Sequence, residues 1–446
     1  MPRTCPDKLN VLLLGGGGRE HAIGWKLRQS PRLGELWVES SANAGLKQIG
    51  QVCPESIDAK NLFHTQKWCD RQSIDMIVVG PEAPLVDGLA EKLASDHRVV
   101  FGPSMAAARL EGDKSYAKEV MRQGAVATAD GKTFTDAEHA RSHVTARDEP
   151  CVVKAAGLAA GKGVVVCNDA TEAVAAIDMI MEDRTFGEAG NSIVIEERLE
   201  GQELSVLALV DGHTISVLDP AQDHKQVGEG DTGPNTGGMG AYCPTPLATR
   251  EVMDLVHSEI LVPTIDGLRR DGIVYRGVLY AGLMLTAAGP KVLEFNCRFG
   301  DPECQPLMMR FKGDLAHVLW ATATGTLIDT SIEFDPRHAC CVVVCSEGYP
   351  GPYPKGVPIT GIEEAIETAG TDEQVEVFHA GTTIDEKGRL VTSGGRVLGV
   401  TAMAEDLQRA QELANRAASC IKFEGAFHRR DIGHRVMGPL SNLSGA

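Results

Sequence analysis

The first hundred residues alternate short apolar runs with helix-forming stretches, and this alternation restricts the possible folds most strongly. The apolar runs are NVLLLG, ELWVE, IDMIVVG and RVVFG, and stretches such as HAIGWKLRQS and LVDGLAEKLAS lie between them. Such alternation predicts a Rossmann-like parallel α/β domain over residues 1–105. Ligands of such sheets bind in the loops beyond the carboxyl ends of the strands, which here are GGGGREH, SANAG and GPEAP.

The rest of the chain gives different signals, and its 446 residues have room for about three domains. Residues 106–327 carry longer strand signals separated by a helix near 249–270, which predicts a second, α+β domain. Within this domain, two strands flank a glycine-rich loop, so we expect residues 126–192 to form a small mobile lid. Residues 328–446 contain further strand signals and an amphipathic helix near 405–421, which predicts a C-terminal α+β domain.

Composition narrows the set of partners. The chain has 43 Lys+Arg and 61 Asp+Glu, which gives a formal net charge of −18. Nucleic acids and anionic membranes attract basic surfaces, so neither is an expected partner, and anionic small substrates require a local cluster of basic residues. No apolar run approaches the ~18 residues of a membrane-spanning helix. The 12 cysteines form no CxxC pair, and we therefore expect a cytoplasmic protein with reduced cysteines.

The segment KVLEFNCRFGDPE, residues 291–303, carries the first chemical signal. In an extended strand alternate side chains share one face. This periodicity predicts a polar face with Glu294, Asn296 and Arg298, and a core face with Leu293, Phe295 and Cys297. Carboxylate and carboxamide oxygens suit Mg²⁺, which takes one or two protein ligands beside phosphate oxygens. A solvated polar stripe is the alternative interpretation.

A glycine-rich loop lies between two strands in KAAGLAAGKGV, residues 154–164. Its glycines allow backbone N–H groups to approach phosphates, and Lys154 and Lys162 add positive charge. A Walker A loop needs four residues between its first Gly and its Gly-Lys pair, followed by Ser or Thr, and neither condition is met. The loop could still bind phosphate in another way, and the alternative interpretation is a flexible hairpin tip without a ligand.

The segment IVIEERLEGQELSV, residues 193–206, is a third candidate. A strand that runs into Glu196 and Glu197 could line an adenosine slot. In that slot Leu199 would pack on the base, and Glu203 would accept hydrogen bonds from the ribose hydroxyls. An ordinary acidic hairpin is the better interpretation of this segment taken alone.

The order of these segments is typical of ATP-grasp enzymes: a lysine-bearing helix at 110–120, the glycine loop, the EExL segment, and a strand with Glu and Asn two residues apart. Over roughly residues 9–435 the chain also resembles the phosphoribosylamine–glycine ligase family of purine biosynthesis. The motifs EFNCRFGDPE and GPNTGGMGAY carry this resemblance most specifically. The other matching motifs are GGREH, NAG, GPEAPL, GLAAGKGV, QDHK, LYAGLM and FHAGT.

The resemblance implies an ATP-dependent carbon–nitrogen ligase that joins glycine to 5-phosphoribosylamine through a glycyl-phosphate intermediate. It also implies ATP and Mg²⁺ or Mn²⁺ as cofactors, with Glu294 and Asn296 as the metal ligands. The implied ATP-binding residues are Lys114, Lys154, Gly157, Gly161, Lys162, Gly163, Glu196, Glu197, Leu199 and Glu203.

The same resemblance implies the residues on the substrate side. Lys225, Arg298 and Asp301 are the implied catalytic residues, and Arg429 and Arg430 are expected near the phosphate of the ribonucleotide. Because the family includes free enzymes and domains of multifunctional proteins, association or fusion with other purine enzymes is compatible with the sequence. The full set of implied substrate-binding residues is Gly17, Gly18, Arg19, Glu20, Asn43, Glu82, Asp223, Asn235, Arg429 and Arg430.

The chain departs from the family pattern at four places: Gly16, Ser41-Ala42, Ala156 and Gln226. Gln226 stands where an arginine is expected and removes a cation from the substrate side. His224 is a weak candidate for a general base, and a purely hydrogen-bonding histidine is the better interpretation.

Two other functions compete with the ligase hypothesis. A dinucleotide-dependent oxidoreductase is suggested because VLLLGGGGREHAIGW follows a strand and Glu39 lies about twenty residues further on. Its fingerprint lacks the third small residue, since Glu20 and His21 occupy the two positions where that residue would stand. The nearer alternative is another ATP-grasp carboxylate–amine ligase of purine synthesis.

Overall fold

A five-stranded parallel sheet forms the N-terminal part of the computed structural model, which describes residues 4–159 and 162–438. The central strands LNVLLL and MIVV are apolar except for Asn10, because helices cover both faces of the sheet. The strands are β1 (Leu9–Leu14), β2 (Leu33–Val38), β3 (Gln51–Val52), β4 (Met76–Val79) and β5 (Val99–Phe101), in the order β3-β2-β1-β4-β5. The parallel α/β prediction is confirmed.

Five helices connect these strands, and two more lead out of the sheet. One difference from the sequence prediction lies at Gly88, where a φ of +76° divides the expected helix into two short ones. The helices are α1 (Gly18–Leu27), α2 (Ala44–Ile49), α3 (Phe63–Arg71), α4 (Glu82–Val86), α5 (Leu89–Leu93), α6 (Met105–Gly112) and α7 (Lys114–Gln123).

A small four-stranded sheet follows, in the region that the sequence predicts to be a lid. Strands β7 and β8 pair in antiparallel fashion on either side of the glycine loop, with Lys154 opposite Val164. The elements are β6 (Gly131–Phe134), α8 (Ala137–Arg147), β7 (Cys151–Ala155), β8 (Val164–Cys167), α9 (Ala170–Ile177) and β9 (Ile193–Glu197), and the strand order is β6-β9-β7-β8.

The antiparallel sheet that carries the EFNCRFGDPE segment has the order β11-β10-β16-β17. A turn of wider helix at 256–261 joins α10 to α11, so the predicted helix near 249–270 is continuous. The elements are β10 (Gln202–Val210), β11 (Ile215–Val217), β12 (Gln222–Asp223), β13 (Gln226–Gly228), β14 (Thr232–Asn235), β15 (Gly240–Cys243), α10 (Arg250–Leu255), α11 (Val262–Arg270), β16 (Gly277–Thr286) and β17 (Gly289–Asn296).

The C-terminal sheet combines strands from two distant parts of the sequence. Its order is β12-β15-β20-β24-β21, with β25 paired to β20, so the 222–243 segment belongs to the same sheet as strands beyond residue 337. The elements are α12 (Cys304–Arg310), β18 (Phe311–Lys312), α13 (Leu315–Thr324), β19 (Glu333–Phe334), β20 (His338–Ser346), α14 (Ile362–Ile366), β21 (Gln374–His379), β22 (Thr382–Ile384), β23 (Leu390–Thr392), β24 (Arg396–Ala404), α15 (Leu407–Ala418), β25 (Ala426–Phe427) and α16 (His434–Met437).

The helix α15 shows why this sheet has a core on one face. Its buried residues Leu407, Ala410, Leu413, Ala414 and Ala417 recur at three- and four-residue spacing, which forms one apolar stripe against β20 and β24. Asp406 caps the helix by accepting a hydrogen bond from the Arg409 backbone N–H at 2.8 Å. Among the described residues, no helix is both long and apolar enough to cross a bilayer.

Candidate active site

A cavity of ≈1020 Å³ lies where the lid hairpin, strand β17 and the N-terminal sheet meet. Arg19 and Glu82, which follow the carboxyl ends of β1 and β4, reach it from the N-terminal side. It brings together sixteen of the residues predicted from the sequence: Arg19, Glu82, Lys114, Lys154, Gly163, Glu196, Glu197, Leu199, Glu203, Asp223, Lys225, Asn235, Glu294, Asn296, Arg298 and Asp301. The local cluster of basic residues that anionic substrates require is therefore present despite the negative net charge.

Two lysines hold Glu196 inside the lid. Its Oε2 lies 2.6 Å from Lys154 Nζ, and its Oε1 lies 2.7 Å from Lys118 Nζ. Lys154 also donates a hydrogen bond to the Leu293 carbonyl of β17 at 3.0 Å, so it connects the lid to the strand below. Glu196 therefore orients both lysines, and its predicted role in binding adenosine stays a prediction.

The metal-type donors lie on β17, which contains a β-bulge that the sequence does not reveal. Val292 pairs with Leu283 and Glu294 with Gly282, so Leu293 is the extra residue. Leu293 consequently faces the cavity beside Glu294 and not the core. The predicted core position of Leu293 is wrong, whereas Phe295 and Cys297 are buried as expected.

Glu294 and Asn296 line the same side of the cavity and fit a hard divalent cation. Burial raises the pKa of the Glu294 carboxyl, but the positive charges of Lys225, Lys114 and Lys154 outweigh it and keep the pKa below its usual range. Within the described part of the chain, neither side chain forms an ion pair or a hydrogen bond, so their oxygens are free for a cation. The described residues contain no cluster of three or more His, Cys, Asp or Glu for a metal. A bound ion would need further ligands from a substrate.

Lys225 and Glu203 form an ion pair that also lines the cavity. Lys225 Nζ lies 2.7 Å from Glu203 Oε2. Burial lowers the pKa of Lys225, but the charges of Glu203, Glu294 and Asp223 outweigh burial and raise that pKa above its ordinary value. Lys225 therefore stays a cation in the cavity and cannot act as a general base.

Arg298 connects the strand to the N-terminal domain. Its Nε lies 3.2 Å from Glu82 Oε2, and its second terminal nitrogen lies 2.8 Å from Glu111 Oε1. Glu111 also accepts the Cys297 backbone N–H at 2.8 Å. Two carboxylates thus fix the guanidinium in the cavity wall, and the ion pairs keep it charged.

Asp301 is fixed in the same way by an arginine that sequence reasoning missed. Arg396 donates to the Asp301 carbonyl at 2.7 Å and lies 3.4 Å from its Oδ2, while Gln305 donates to Oδ1 at 2.9 Å. Burial raises the pKa of Asp301, but the charges of Arg396 and Arg19 outweigh it and lower that pKa. Arg396 itself lines the cavity.

The glycine-rich turn after β1 packs behind Asp301. A Cβ on Gly18 would lie 2.7 Å from Gln305 Nε2, so the turn packs closely against this side chain. The Gly17 backbone N–H donates to Glu20 Oε2 at 2.7 Å, and Glu20 in turn pairs with Arg19 at 2.6 Å. Of this group only Arg19 lines the cavity, so Gly17, Gly18 and Glu20 position it instead of lining the site.

Asn43 is a structural residue in this arrangement. Its side-chain oxygen caps α2 by accepting the Leu46 N–H at 2.9 Å. Its amide donates to the carbonyls of Gly16, Gly17 and His379 at 2.9, 3.1 and 2.7 Å. The predicted substrate contact of Asn43 is therefore not supported, because its hydrogen-bonding groups hold the N-terminal turn against β21.

Arg429 and Arg430 do not reach the cavity, which corrects the predicted phosphate site. Arg429 is 1% exposed and donates to Asp231, Asp431 and the Gln226 carbonyl at 2.8–3.1 Å. Arg430 is exposed and pairs with Glu229 at 2.8 Å. At this end of the cavity the lining arginines are Arg396 and Arg435.

Some residues of the glycine loop that were predicted to bind ATP do not line the cavity in the described structure. The Gly157 carbonyl accepts a hydrogen bond from Lys114 Nζ at 3.3 Å, although Gly157 does not line the cavity. Lys162 is exposed and, in the described structure, lies outside the cavity lining. Gly161 lies outside the described residues. His224 is fully buried, accepts the Gly433 N–H at 3.1 Å, and has a pKa lowered to about 3 mainly by burial, so it is not an accessible base.

Several cavity residues were missed although some lie in the quoted motifs. Glu111 and Lys118 belong to the lysine-bearing helix segment, and Glu303 ends EFNCRFGDPE. Glu111 and Lys118 lie one helical turn before and after Lys114, and Glu303 lies in the same motif as Asn296, so these positions could have identified all three residues. Arg396 and Arg435 lie in stretches without a recognisable motif, so only the folded chain places them here.

Three family models match consecutive parts of the chain. They are the N domain of phosphoribosylglycinamide synthetase over residues 9–111, its ATP-grasp (A) domain over residues 112–304, and its C domain over residues 339–435. Together they cover most of the chain, and the boundaries predicted from the sequence stay a prediction.

Curated relatives agree with these models. A phosphoribosylamine–glycine ligase from Rhodopirellula baltica is 49% identical over 438 residues, which covers 97% of this chain and 98% of the relative. The trifunctional purine biosynthetic protein adenosine-3 from Homo sapiens is 47% identical, and the match covers 96% of this chain but 42% of that protein.

Solved structures support the same fold. The phosphoribosylamine–glycine ligase from Thermotoga maritima superposes with a TM-score of 0.79 at 32% identity, covering 95% of this chain and all of that one. A biotin carboxylase from Campylobacter jejuni superposes with a TM-score of 0.71 at 16% identity, covering 97% and 96% of the two chains. The second likeness shows the shared fold alone.

Proposed function

Because the chain belongs to the phosphoribosylamine–glycine ligase family and is an ATP-dependent ligase of purine biosynthesis, we propose that its central cavity joins glycine to 5-phosphoribosylamine. The products are glycinamide ribonucleotide, ADP and phosphate. The observation that carries this proposal is the meeting of three groups in one cavity. Lys154 comes from the lid, Glu294 and Asn296 from β17, and Arg19 from helix α1 of the N-terminal domain.

ATP-grasp enzymes use ATP together with a divalent metal, and the choice of metal is part of our proposal. Glu294 and Asn296 would hold Mg²⁺, or Mn²⁺, because an ionised carboxylate and a carboxamide oxygen are hard donors. When bound, such an ion neutralises charge on the phosphates and orients them.

The first chemical step is phosphorylation of glycine. A glycine carboxylate oxygen forms a bond to the γ-phosphorus of ATP while the bond to ADP breaks, which leaves glycyl phosphate. An anion here meets a polyanion, so charge neutralisation dominates the barrier. The cations Lys114, Lys154, Lys225 and Arg298 line the cavity and supply that charge in fixed positions.

The second step forms the amide. The amine nitrogen of phosphoribosylamine bonds to the acyl carbon, the bond from that carbon to the phosphate oxygen breaks, and the proton that the nitrogen gives up leaves with the departing phosphate. Arg298 supports this step because Glu82 and Glu111 hold its guanidinium in the cavity wall between the lid and the N-terminal sheet.

The lid protects the intermediate. Acyl phosphates hydrolyse in water, so the site must exclude it between the two steps. Leu158, Ala159 and Val164 of the lid hairpin line the cavity and present apolar atoms to it. Closure of this hairpin over bound ATP would complete the enclosure.

A test of this function is ADP release from the purified protein with ATP, Mg²⁺, glycine and freshly generated phosphoribosylamine, omitting each in turn. We expect release only when both glycine and the amine are present. Turnover with formate or bicarbonate in place of glycine would reassign the protein to a neighbouring ATP-grasp ligase. The fused animal relatives also suggest association with other purine enzymes, which co-purification of those enzymes with this protein from an extract would test.

A further inference from the structure

The hairpin of β13 and β14 lines part of the cavity but belongs to none of the larger sheets. In the described chain its two strands pair only with each other, and the turn 229–231 joins them. Gly233, Pro234 and Asn235 of β14 line the cavity, and all three are exposed. A two-stranded hairpin alone is marginally stable in water, so contacts other than strand pairing must fix its position.

These contacts come from a distant part of the chain, the segment 429–435. Asp431 Oδ2 accepts the backbone N–H of Gly230 at 2.8 Å, although the two residues are 201 positions apart in the sequence. Arg429 Nη1 donates to the Gln226 carbonyl at 2.9 Å. The C-terminal segment therefore holds both the turn and the first strand of the hairpin.

Asp231 is the hairpin residue with the most contacts to this segment. Its carboxylate lies 2.8 Å from Arg435 Nε, 3.1 Å from Arg429 Nη1 and 3.3 Å from His434 Nε2. Burial raises the pKa of Asp231, but the hydrogen bonds and charges of Arg435 and Arg429 outweigh it and lower that pKa to about 2. The carboxylate therefore stays charged and paired at neutral pH.

The backbone at Asp231 is in a conformation that the turn alone would not assign to an aspartate. Its φ is +56°, in the left-handed region, and the preceding Gly230 has a φ of +67°. Glycine adopts this region without strain, and asparagine tolerates it better than most other residues. Neither could form ion pairs with two arginines. The ion pairs, and not the turn geometry, therefore explain the aspartate at this position.

The far end of β14 is fixed by a separate set of contacts. Arg396 donates to the Gly237 carbonyl at 2.5 Å, and the Tyr349 hydroxyl accepts the Gly237 N–H at 3.1 Å. The backbone N–H and the hydroxyl of Thr236 donate to the Lys225 carbonyl at 2.8 and 2.7 Å. The strand is thus held at both ends, and its exposed middle faces the cavity.

We propose that Asp231 is a positioning residue for 5-phosphoribosylamine, an inference that rests on the proposed function. By pairing with the segment 429–435, it fixes β14 at the cavity end where Arg396 and Arg435 lie. Two arginines suit the anionic amine substrate, because the ATP phosphates are assigned to the lid side beside Lys154. Loss of the Asp231 charge therefore weakens binding of the amine and leaves binding of ATP unchanged.

Asp231→Asn in the full chain tests this, because asparagine keeps the side-chain shape and tolerates the left-handed turn. The KM of phosphoribosylamine should rise at least about fivefold, while the KM values of ATP and glycine change less than about twofold. Hydrogen exchange, measured by mass spectrometry, should become faster in the peptide that spans residues 226–237. Asp385→Asn is the matched control, since Asp385 accepts hydrogen bonds from Arg389 in the turn of another two-stranded hairpin, β22–β23, outside the cavity lining.

The pair of Glu229 and Arg430 gives a second test that leaves the buried contacts intact. This pair connects the same turn to the same segment at 2.8 Å and is exposed, so it contributes little to folding. Glu229→Arg and Arg430→Glu each bring like charges together and should each raise the KM of phosphoribosylamine at least about threefold. The double variant restores opposite charges and should return this KM to within about twofold of wild type. A merely structural pair would not give this rescue of one KM.

Three results would overturn the inference: a KM of phosphoribosylamine in Asp231→Asn that stays at the wild-type value, equal rises in all three KM values, or a double variant no better than its single variants. Unchanged hydrogen exchange of residues 226–237 in Asp231→Asn would also overturn it. The exchange measurement needs no substrate. Failure of wild type to release ADP with both substrates would instead contradict the proposed function, so the two failures are distinguishable.

Discussion

The Lys154 ammonium lies 2.6 Å from the Glu196 carboxylate across the adjacent strands β7 and β9. Both side chains are buried, at 5% and 4% exposure, so the pair is shielded from salt and water. Because Lys154 also reaches the Leu293 carbonyl, the same ammonium sets the distance between the lid and β17. The position of the lid relative to β17 therefore depends on the same side chain to which we assign the ATP phosphates.

Lys154→Met should raise the KM for ATP at least about tenfold, because the variant loses a fixed positive charge under the lid. The KM for glycine should change less. Steady-state ADP release at varied ATP measures this. Lys26→Met is the control, since Lys26 is a buried lysine of the N-terminal domain that contacts Trp25 and Phe311 and lies outside the cavity. An unchanged KM for ATP in Lys154→Met would contradict the assignment.

Glu294→Ala should reduce turnover by at least about a hundredfold, as the loss of one preorganised electrostatic group does in other enzymes. The metal concentration needed for half-maximal activity should rise as well. Activity titrated with Mg²⁺ and separately with Mn²⁺ gives both numbers. Glu376→Ala, on β21 and away from the cavity, serves as the control. Near-normal turnover of Glu294→Ala at low metal would remove the metal assignment.

Arg429→Met should destabilise the protein by about 1–3 kcal/mol, because the half-buried carboxylates of Asp231 and Asp431 would each lose a charged hydrogen-bond partner. Arg430→Met should have little effect, since its pair with Glu229 is exposed. Denaturant unfolding of both variants measures the difference. If Arg429→Met kept its stability and raised only the KM of phosphoribosylamine, the phosphate site predicted from the sequence would be restored.

Acid should destabilise the protein through three buried histidines. Burial lowers the pKa of His21 to about 3, with a smaller contribution from His379, and burial lowers the pKa of His224 to about 3 and of His379 to about 4. The unfolded chain takes up these protons near pH 6.5, whereas the folded chain stays neutral, so stability is lost as pH falls from about 6.5 toward 3–4. Each histidine contributes up to about 1.4 kcal/mol per pH unit in that window.

His21 gives the clearest test of this acid effect. Its Nδ1 accepts the His379 backbone N–H at 2.7 Å, which requires the neutral ring. His21→Asn should reduce the slope of unfolding free energy against pH between pH 6 and 4.5, measured by urea unfolding, even if it lowers stability at pH 7. His64→Asn, on the exposed side of α3, is the control. A slope equal to that of wild type would exclude His21 as a contributor.

Much of the fold is readable from the sequence because it depends on local patterns. Apolar runs that end in glycine or a charged residue predicted the parallel sheet, and the two strands around the glycine loop predicted the lid hairpin. The bulge at Leu293 was not readable, because an extra residue in one strand is defined only against its partner. It changes the face on which one side chain lies.

The site residues that belong to one sequence motif could be predicted. The residues whose position depends on an ion-pair partner far away in the sequence could not. Glu294 and Asn296 share a strand, so their placement together follows from spacing. Arg429 and Arg396 are both arginines in the last third of the chain. Arg429 forms an ion pair with Asp231 outside the cavity, whereas Arg396 lines the cavity. No property of the local sequence distinguishes these two outcomes, because the deciding carboxylate lies about two hundred residues earlier.

The pairing of β15 with β20 has a consequence for the order of assembly during synthesis. Strand β15 leaves the ribosome about a hundred residues before β20, the strand with which it pairs. Its edge therefore stays unpaired until the last third of the chain has been synthesised. A nascent chain arrested near residue 330 would therefore expose a sheet edge and lack Arg396. We therefore expect the cavity wall to be completed only after strands β20 and β24 have been synthesised.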